Sequence, residues 1–191
     1  MMKKLILAAM IIVLALAGYF AYGFFSSPRE PARQEQGNRT PRTGEFSNGQ
    51  LYSVFAADTF EVKYPNWPNV DSSALSEPGR TKVAVSNEGC TFIITANPVP
   101  EGKTFTAFVE EKLREQTGKA GIRMTVKDIS ERSAHLETEI SAGTVTIQSA
   151  TYAYETSGRQ YYGIGFAALT ETFKRVCQPL IQDVIGSVRV H

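Results

Sequence analysis

Residues 144–168 read TVTIQSATYAYETSGRQYYGIGFAA, two alternating runs on either side of Ser157-Gly158. Alternation this regular, rich in Thr, Tyr and Ile, marks paired antiparallel strands over 144–156 and 159–168. Taken as a two-residue hairpin loop, Ser157-Gly158 pairs Thr156 with Arg159 and Tyr154 with Tyr161. One face of the hairpin then carries Ile147, Thr151, Ala153, Tyr162, Ile164 and Phe166 and belongs to the core. The opposite face sets Tyr152, Tyr154 and Tyr161 beside Gly163 and Gly165, a shallow floor with amphipathic walls suited to a ligand or a partner's side chain. The same tyrosines also suit a cross-strand ladder, or a place beneath the first helix.

Working outward, strands are expected near 122–130 and 134–141, with breaks at Glu131–Ser133 and Ala142-Gly143. Before them, Thr104 can cap a helix running to about Thr117, with Phe105, Phe108, Val109 and Leu113 on one side and Gly118 and Gly121 at its end. Further upstream, Leu51–Ala57 and Thr59–Pro65 form two strands, the second placing Phe60, Val62 and Tyr64 on one face. Lys82–Ser86 and Cys90–Ala96 form two more, joined by Asn87-Glu88-Gly89. Downstream, Thr170–Val188 carries Phe173, Cys177, Leu180, Ile181 and Val184 at helical spacing, with Pro179 set to kink it or split off its first turn. Four strands, a helix, four strands and a helix make an α+β fold, an antiparallel sheet flanked by helices, over residues 51–191.

The first 50 residues differ in kind. Lys3 and Lys4 precede Leu5–Phe25, 21 residues of apolar side chains, Gly and Tyr. As a helix this stretch is roughly 31 Å long, matching the hydrocarbon core of a bilayer, and its aromatic residues crowd the far end. Residues 1–25 therefore read as a single-pass anchor with the amino terminus inside and the domain extracytoplasmic. A signal sequence cleaved after Ala17, which would leave a secreted domain, is the alternative. Residues 26–50 hold three Pro, three Gly and no Leu, Ile or Val, and read as a flexible linker.

Composition narrows the function. The whole chain of 191 residues carries a net charge of +1, with six Lys or Arg against three Glu in residues 1–50. That balance provides no basis for nucleic-acid binding. His135 and His191 are the only histidines and neither stands at ligand spacing from a Cys or carboxylate, so no metal or other cofactor is expected. Nucleophile-elbow, phosphate-loop and dinucleotide fingerprints are absent, and the chain reads as a non-enzyme. Cys90 lies on the Phe92/Ile94 face of its strand and Cys177 on the apolar stripe of the last helix. If the domain faces an oxidising compartment and the helix packs on that face, the two can form a disulfide; otherwise they are separate buried thiols.

The segment Phe60-x-Val62-x-Tyr64-Pro65-x-Trp67, with the order of strands and helices and the amphipathic C-terminal helix, resembles the PsbP/Mog1/DcrB superfamily over residues 50–190. The resemblance implies an α/β/α sandwich and a non-catalytic accessory or binding protein, with the anchor pointing to a bacterial-type envelope member. It carries over no site residue. The expectation is a membrane-tethered, extracytoplasmic interaction module with an envelope protein as partner. The alternative is a carrier or sensor of a small apolar or amphipathic ligand held on the tyrosine-glycine face.

Overall fold

The alternating segments form two antiparallel sheets in the computed structural model, which describes residues 43–71, 80–117 and 119–191. The larger sheet has the order β4-β5-β9-β8-β7-β6. Its strands are β4 (Thr81–Asn87), β5 (Cys90–Pro98), β6 (Ile122–Ile129), β7 (Ser133–Ala142), β8 (Val145–Thr156) and β9 (Gln160–Leu169). The smaller has the order β1-β2-β3-β10, from β1 (Thr43–Glu45), β2 (Leu51–Ala56), β3 (Phe60–Pro65) and β10 (Arg189–Val190).

Two sheets replace the single sheet expected, and Pro65 shows why. With no N–H to give a ladder, it ends β3. The chain then leaves through Trp67 and Pro68 and runs along the outer edge of β4. There the Val70 amide donates to the Ala84 carbonyl and the Ser86 amide to the Pro68 carbonyl, both at 3.0 Å. This strap occupies the edge that β3 would have used, so the β2–β3 hairpin pairs with β1 and β10 instead.

The start of the domain is also corrected. Residues 43–50 belong to the fold rather than to the linker: Thr43–Glu45 is β1, and Phe46 is 6% exposed with its ring 5.1 Å from that of Tyr52. One aromatic side chain seats a stretch whose average composition is that of a tether. The expected anchor within residues 1–25, and residues 26–42 of the linker, lie outside the described residues. Among the described residues no helix is long and apolar enough to cross a membrane.

One face of the large sheet is covered by α1 (Phe105–Gln116). The helix starts where expected, the Thr104 hydroxyl accepting from the Ala107 amide at 3.2 Å. Phe105, Phe108, Val109 and Leu113 pack with Ala134, Leu136, Ala153 and Tyr161. The opposite face carries the small sheet and the C-terminal helices α2 (Thr170–Thr172) and α3 (Gln178–Gly186), joined by a π-helical turn, Phe173–Cys177. Pro179 sits in the first turn of α3. Its ring and missing N–H forbid a regular helix through this point, and the preceding turn widens so that the Gln178 amide reaches the Phe173 carbonyl. The widened turn carries Cys177 to Cys90 at the start of β5. Their sulfurs are 2.00 Å apart and their Cα atoms 5.7 Å, a disulfide with both residues fully buried. Around it lies the main core, including Phe60, Phe92, Ile94, Phe166, Leu180 and Val184. Each such side chain contributes roughly 1.5–3 kcal/mol of burial.

Candidate functional site

The β8–β9 hairpin closes one residue later than a two-residue loop would place it. Ser157, Gly158 and Arg159 form a three-residue loop, with Gly158 at φ 87° and Arg159 at φ 59°. Arg159 is held in this left-handed conformation from outside the hairpin. Its Nη2 donates to the carbonyls of Pro100 and Lys103 at 2.7 and 2.8 Å. Its own carbonyl accepts from the Val99 amide at 2.7 Å. Thr156 therefore pairs with Gln160, Glu155 with Tyr161, and Tyr154 with Tyr162. A slip of one residue sends every side chain of one strand to the other face.

The five residues expected to share a surface are divided by this slip. Tyr161, Gly163 and Gly165 lie on the α1 side of the sheet, Tyr152 and Tyr154 on the other. Tyr161 is fully buried, its ring 6.1 Å from Phe105 and 5.5 Å from Phe108. Gly163 is buried too. A Cβ on Gly165 would meet Ile93 Cγ1 at 3.0 Å, so the protein's own isoleucine fills the space over this glycine. Burial pushes the Tyr161 hydroxyl well above its ordinary pKa. These three residues line a core, not a floor.

Tyr152 and Tyr154 are half-buried, and His135, which the sequence did not single out for binding, joins them. It pairs directly across from Tyr152 in the β7–β8 ladder, and the two rings stack at 4.1 Å and 18°. Tyr154 approaches Phe60 of β3 at 6.2 Å. The small sheet covers β9 and β8 through Phe55 and Phe60, whose rings lie 6.0 and 4.4 Å from Tyr162. Toward β7 and β6 the large sheet is progressively uncovered. His135 and Glu137 are half-buried there, whereas Asp128 and Glu139 are exposed. The outcome is a shelf: two tyrosines and a histidine rooted in the core, with carboxylates beyond them. Its sequence signal is the alternation of His135, Glu137 and Glu139, which puts all three on one face of β7.

Electrostatics keep the aromatic groups neutral. Burial, then the neighbouring Tyr154 and Glu137, push Tyr152 up to about 12, and burial alone does the same for Tyr154. Burial holds His135 below its ordinary value, against the opposing pull of Glu137 and Asp128. Its Nε2 is buried with no hydrogen-bond partner among the described residues. Lys127 Nζ sits 3.0 Å from Glu137 Oε2 and takes up part of the negative charge. Neutral phenols and a neutral imidazole offer flat rings and hydrogen-bonding atoms, the chemistry of recognition. Among the described residues no group of three or more His, Cys, Asp or Glu could hold a metal ion.

Neither a family model nor a curated protein sequence matches the chain. Solved structures do match in shape. Pseudomonas aeruginosa PA94, described as a protein of unknown function, is 10% identical at TM-score 0.44, over 69% of this chain and 92% of its own. The Saccharomyces cerevisiae Ran-binding protein Mog1p is 12% identical at TM-score 0.46, over 79% and 95%. Mycobacterium tuberculosis LpqN, described as involved in cell envelope biogenesis, is 10% identical at TM-score 0.41, over 79% and 90%. With identities of 10–12% and TM-scores below one half, these are likenesses of shape and assign this chain neither a family nor a function.

Proposed function

We propose that this protein is a non-catalytic interaction module of PsbP/Mog1/DcrB type, which recognises a protein partner in the cell envelope through the Tyr152–Tyr154–His135 shelf. The observation that carries the reading is the His135–Tyr152 stack at 4.1 Å beside half-buried Tyr154. Aromatic side chains anchored on one edge in a core lose little further conformational entropy on binding, and tyrosine is enriched where interfaces concentrate their energy. The Cys90–Cys177 disulfide supports an extracytoplasmic site, because such bonds persist in oxidising compartments. Residues 5–25 would then tether the domain to the membrane and the linker would set its reach. The carrier alternative loses support, since the glycine floor it needs is buried and, at Gly165, filled by Ile93.

Chemical crosslinking of the full chain in its native membranes tests this, comparing wild type with a Tyr152→Ala/His135→Ala double variant. A single protein neighbour is expected with the wild type, with recovery reduced about tenfold or more in a variant that still melts cooperatively. Equal recovery from both chains would remove the shelf from the interaction. A lone chain carrying a small molecule would replace the module by the carrier.

A further inference from the structure

Between the large sheet and α1, away from the shelf, lie two buried polar side chains that no part of the proposed function uses. Thr95 and Asn97 are 2% and 1% exposed and sit two residues apart on β5, hence on the same face. In register they stand opposite Gly163 and Tyr161 of β9, and Tyr161 lies against Phe105 and Phe108 of α1. Asn97 Oδ1 accepts from Arg80 Nη1 at 3.2 Å, which fixes the amide's orientation and turns Nδ2 the other way. Thr95 Oγ1 and Asn97 Nδ2 are then both buried without a hydrogen-bond partner among the described residues.

We infer that these two atoms form an internal hydration site, holding one ordered water between β5 and β9 under the start of α1. Buried polar atoms in folded proteins are paired almost without exception, with protein or with water. Residues two apart on one face of a strand have Cα atoms about 6.6 Å apart, so a single water beside the strand is within reach of a side-chain atom of each. Charge and chemistry point to water rather than to an ion. A threonine hydroxyl both gives and accepts a proton, and an asparagine NH2 gives one to a neutral acceptor, a set that water satisfies at both ends. The bridge would fix the Asn97 amide and, through Oδ1, the Arg80 guanidinium at the mouth of β4.

Oxygen-17 magnetic relaxation dispersion of water, on wild-type protein and on Thr95→Val, tests the site, because it detects waters held inside a protein. Valine keeps the shape of threonine and removes only the hydroxyl. The wild type is expected to hold one more long-lived water than the variant. Equal dispersion from two folded proteins would overturn the inference. A crystal structure of the wild type provides a second arm that needs no variant. Electron density for a water within hydrogen-bond distance of both atoms is the expected result. An Asn97 Nδ2 bonded to a protein group there, with no density between the two residues, would overturn it.

Discussion

Removing the Cys90–Cys177 bond should cost this domain a large part of its stability, and the structure allows the size to be worked out. The bridge closes a loop with a sequence separation of 87 residues. In the chain-entropy model a loop of that length restricts the unfolded chain by about 15 cal/mol/K, or about 4.6 kcal/mol at 25 °C. Both cysteines are fully buried, so replacing them by alanine also removes two packed sulfurs, a further loss of about 1 kcal/mol or more. For a domain of this size each kcal/mol moves the melting temperature by roughly 2–4 °C. The double variant Cys90→Ala/Cys177→Ala is therefore expected to melt about 10–20 °C below the oxidised wild type. Circular dichroism followed on heating, with and without reductant, reads the effect, and the reduced wild type should fall toward the variant. The Arg175–Glu88 ion pair beside it, at 2.8 Å, has both partners more than half exposed and is worth little. A folded double variant melting within about 3 °C of the oxidised protein would refute the reasoning, and with it the view that the bond ties the C-terminal helices to the large sheet.

Three further outcomes are expected. Arg159→Gly and Arg159→Ala both lose the guanidinium bonds to Pro100 and Lys103, so their difference isolates the cost of φ 59°; glycine should be more stable than alanine by about 1 kcal/mol in urea unfolding, and alanine equal to glycine would count against the three-residue loop. For His135, whose folded pKa is lowered, the unfolded chain gains a proton as pH falls through 6.5 while the folded chain stays neutral, so its contribution is intact above that pH and lost as pH drops toward the folded value. Denaturant midpoints measured from about pH 8 to 5 should consequently fall less steeply in His135→Gln than in wild type, and parallel profiles would contradict the assignment. Tyr154→Ala removes a half-buried ring from Phe60 and should cost about 2 kcal/mol in urea unfolding, whereas no measurable loss would mean that the shelf is not rooted in the core.

Features set by neighbours along the chain were legible in the sequence. The Thr104 cap, the apolar spacing of Phe105, Phe108, Val109 and Leu113, and the break before Pro179 are decided within a few residues, and α1 and α3 follow them. The cysteine pairing was legible for a related reason: two apolar faces each carried one cysteine, and those faces pack on each other. What the sequence withheld depends on distant contacts. β1 and β10 have three and two residues, too few to show a period. Arg159 adopts a left-handed φ because carbonyls more than 50 residues away hold its guanidinium, and no local rule places a non-glycine residue there. His135 could join the tyrosines only once β7 was known to lie beside β8 in the register that sets it across from Tyr152.

Register thereby links the loop and the core. With Thr156 paired to Arg159, Tyr161 would have shared a face with Tyr154, and Ile164 and Phe166 with Ala153. That arrangement brings Ile164 and Phe166, now at most 1% exposed in the main core, to the side beneath α1, where Phe105, Phe108 and Tyr161 already fill the space. It would also draw Tyr162 off its stack with Phe60. Moving two or three large side chains out of a close-packed core costs several kcal/mol, far more than the roughly 1–2 kcal/mol of a single left-handed residue. The strained Arg159 is therefore the cheaper solution. It keeps Tyr161 beneath α1, apart from Tyr152 and Tyr154 on the side that the small sheet covers only in part, where His135 stacks on Tyr152. The tyrosines are divided because the packing of both sheet faces outweighs the local preference of the turn.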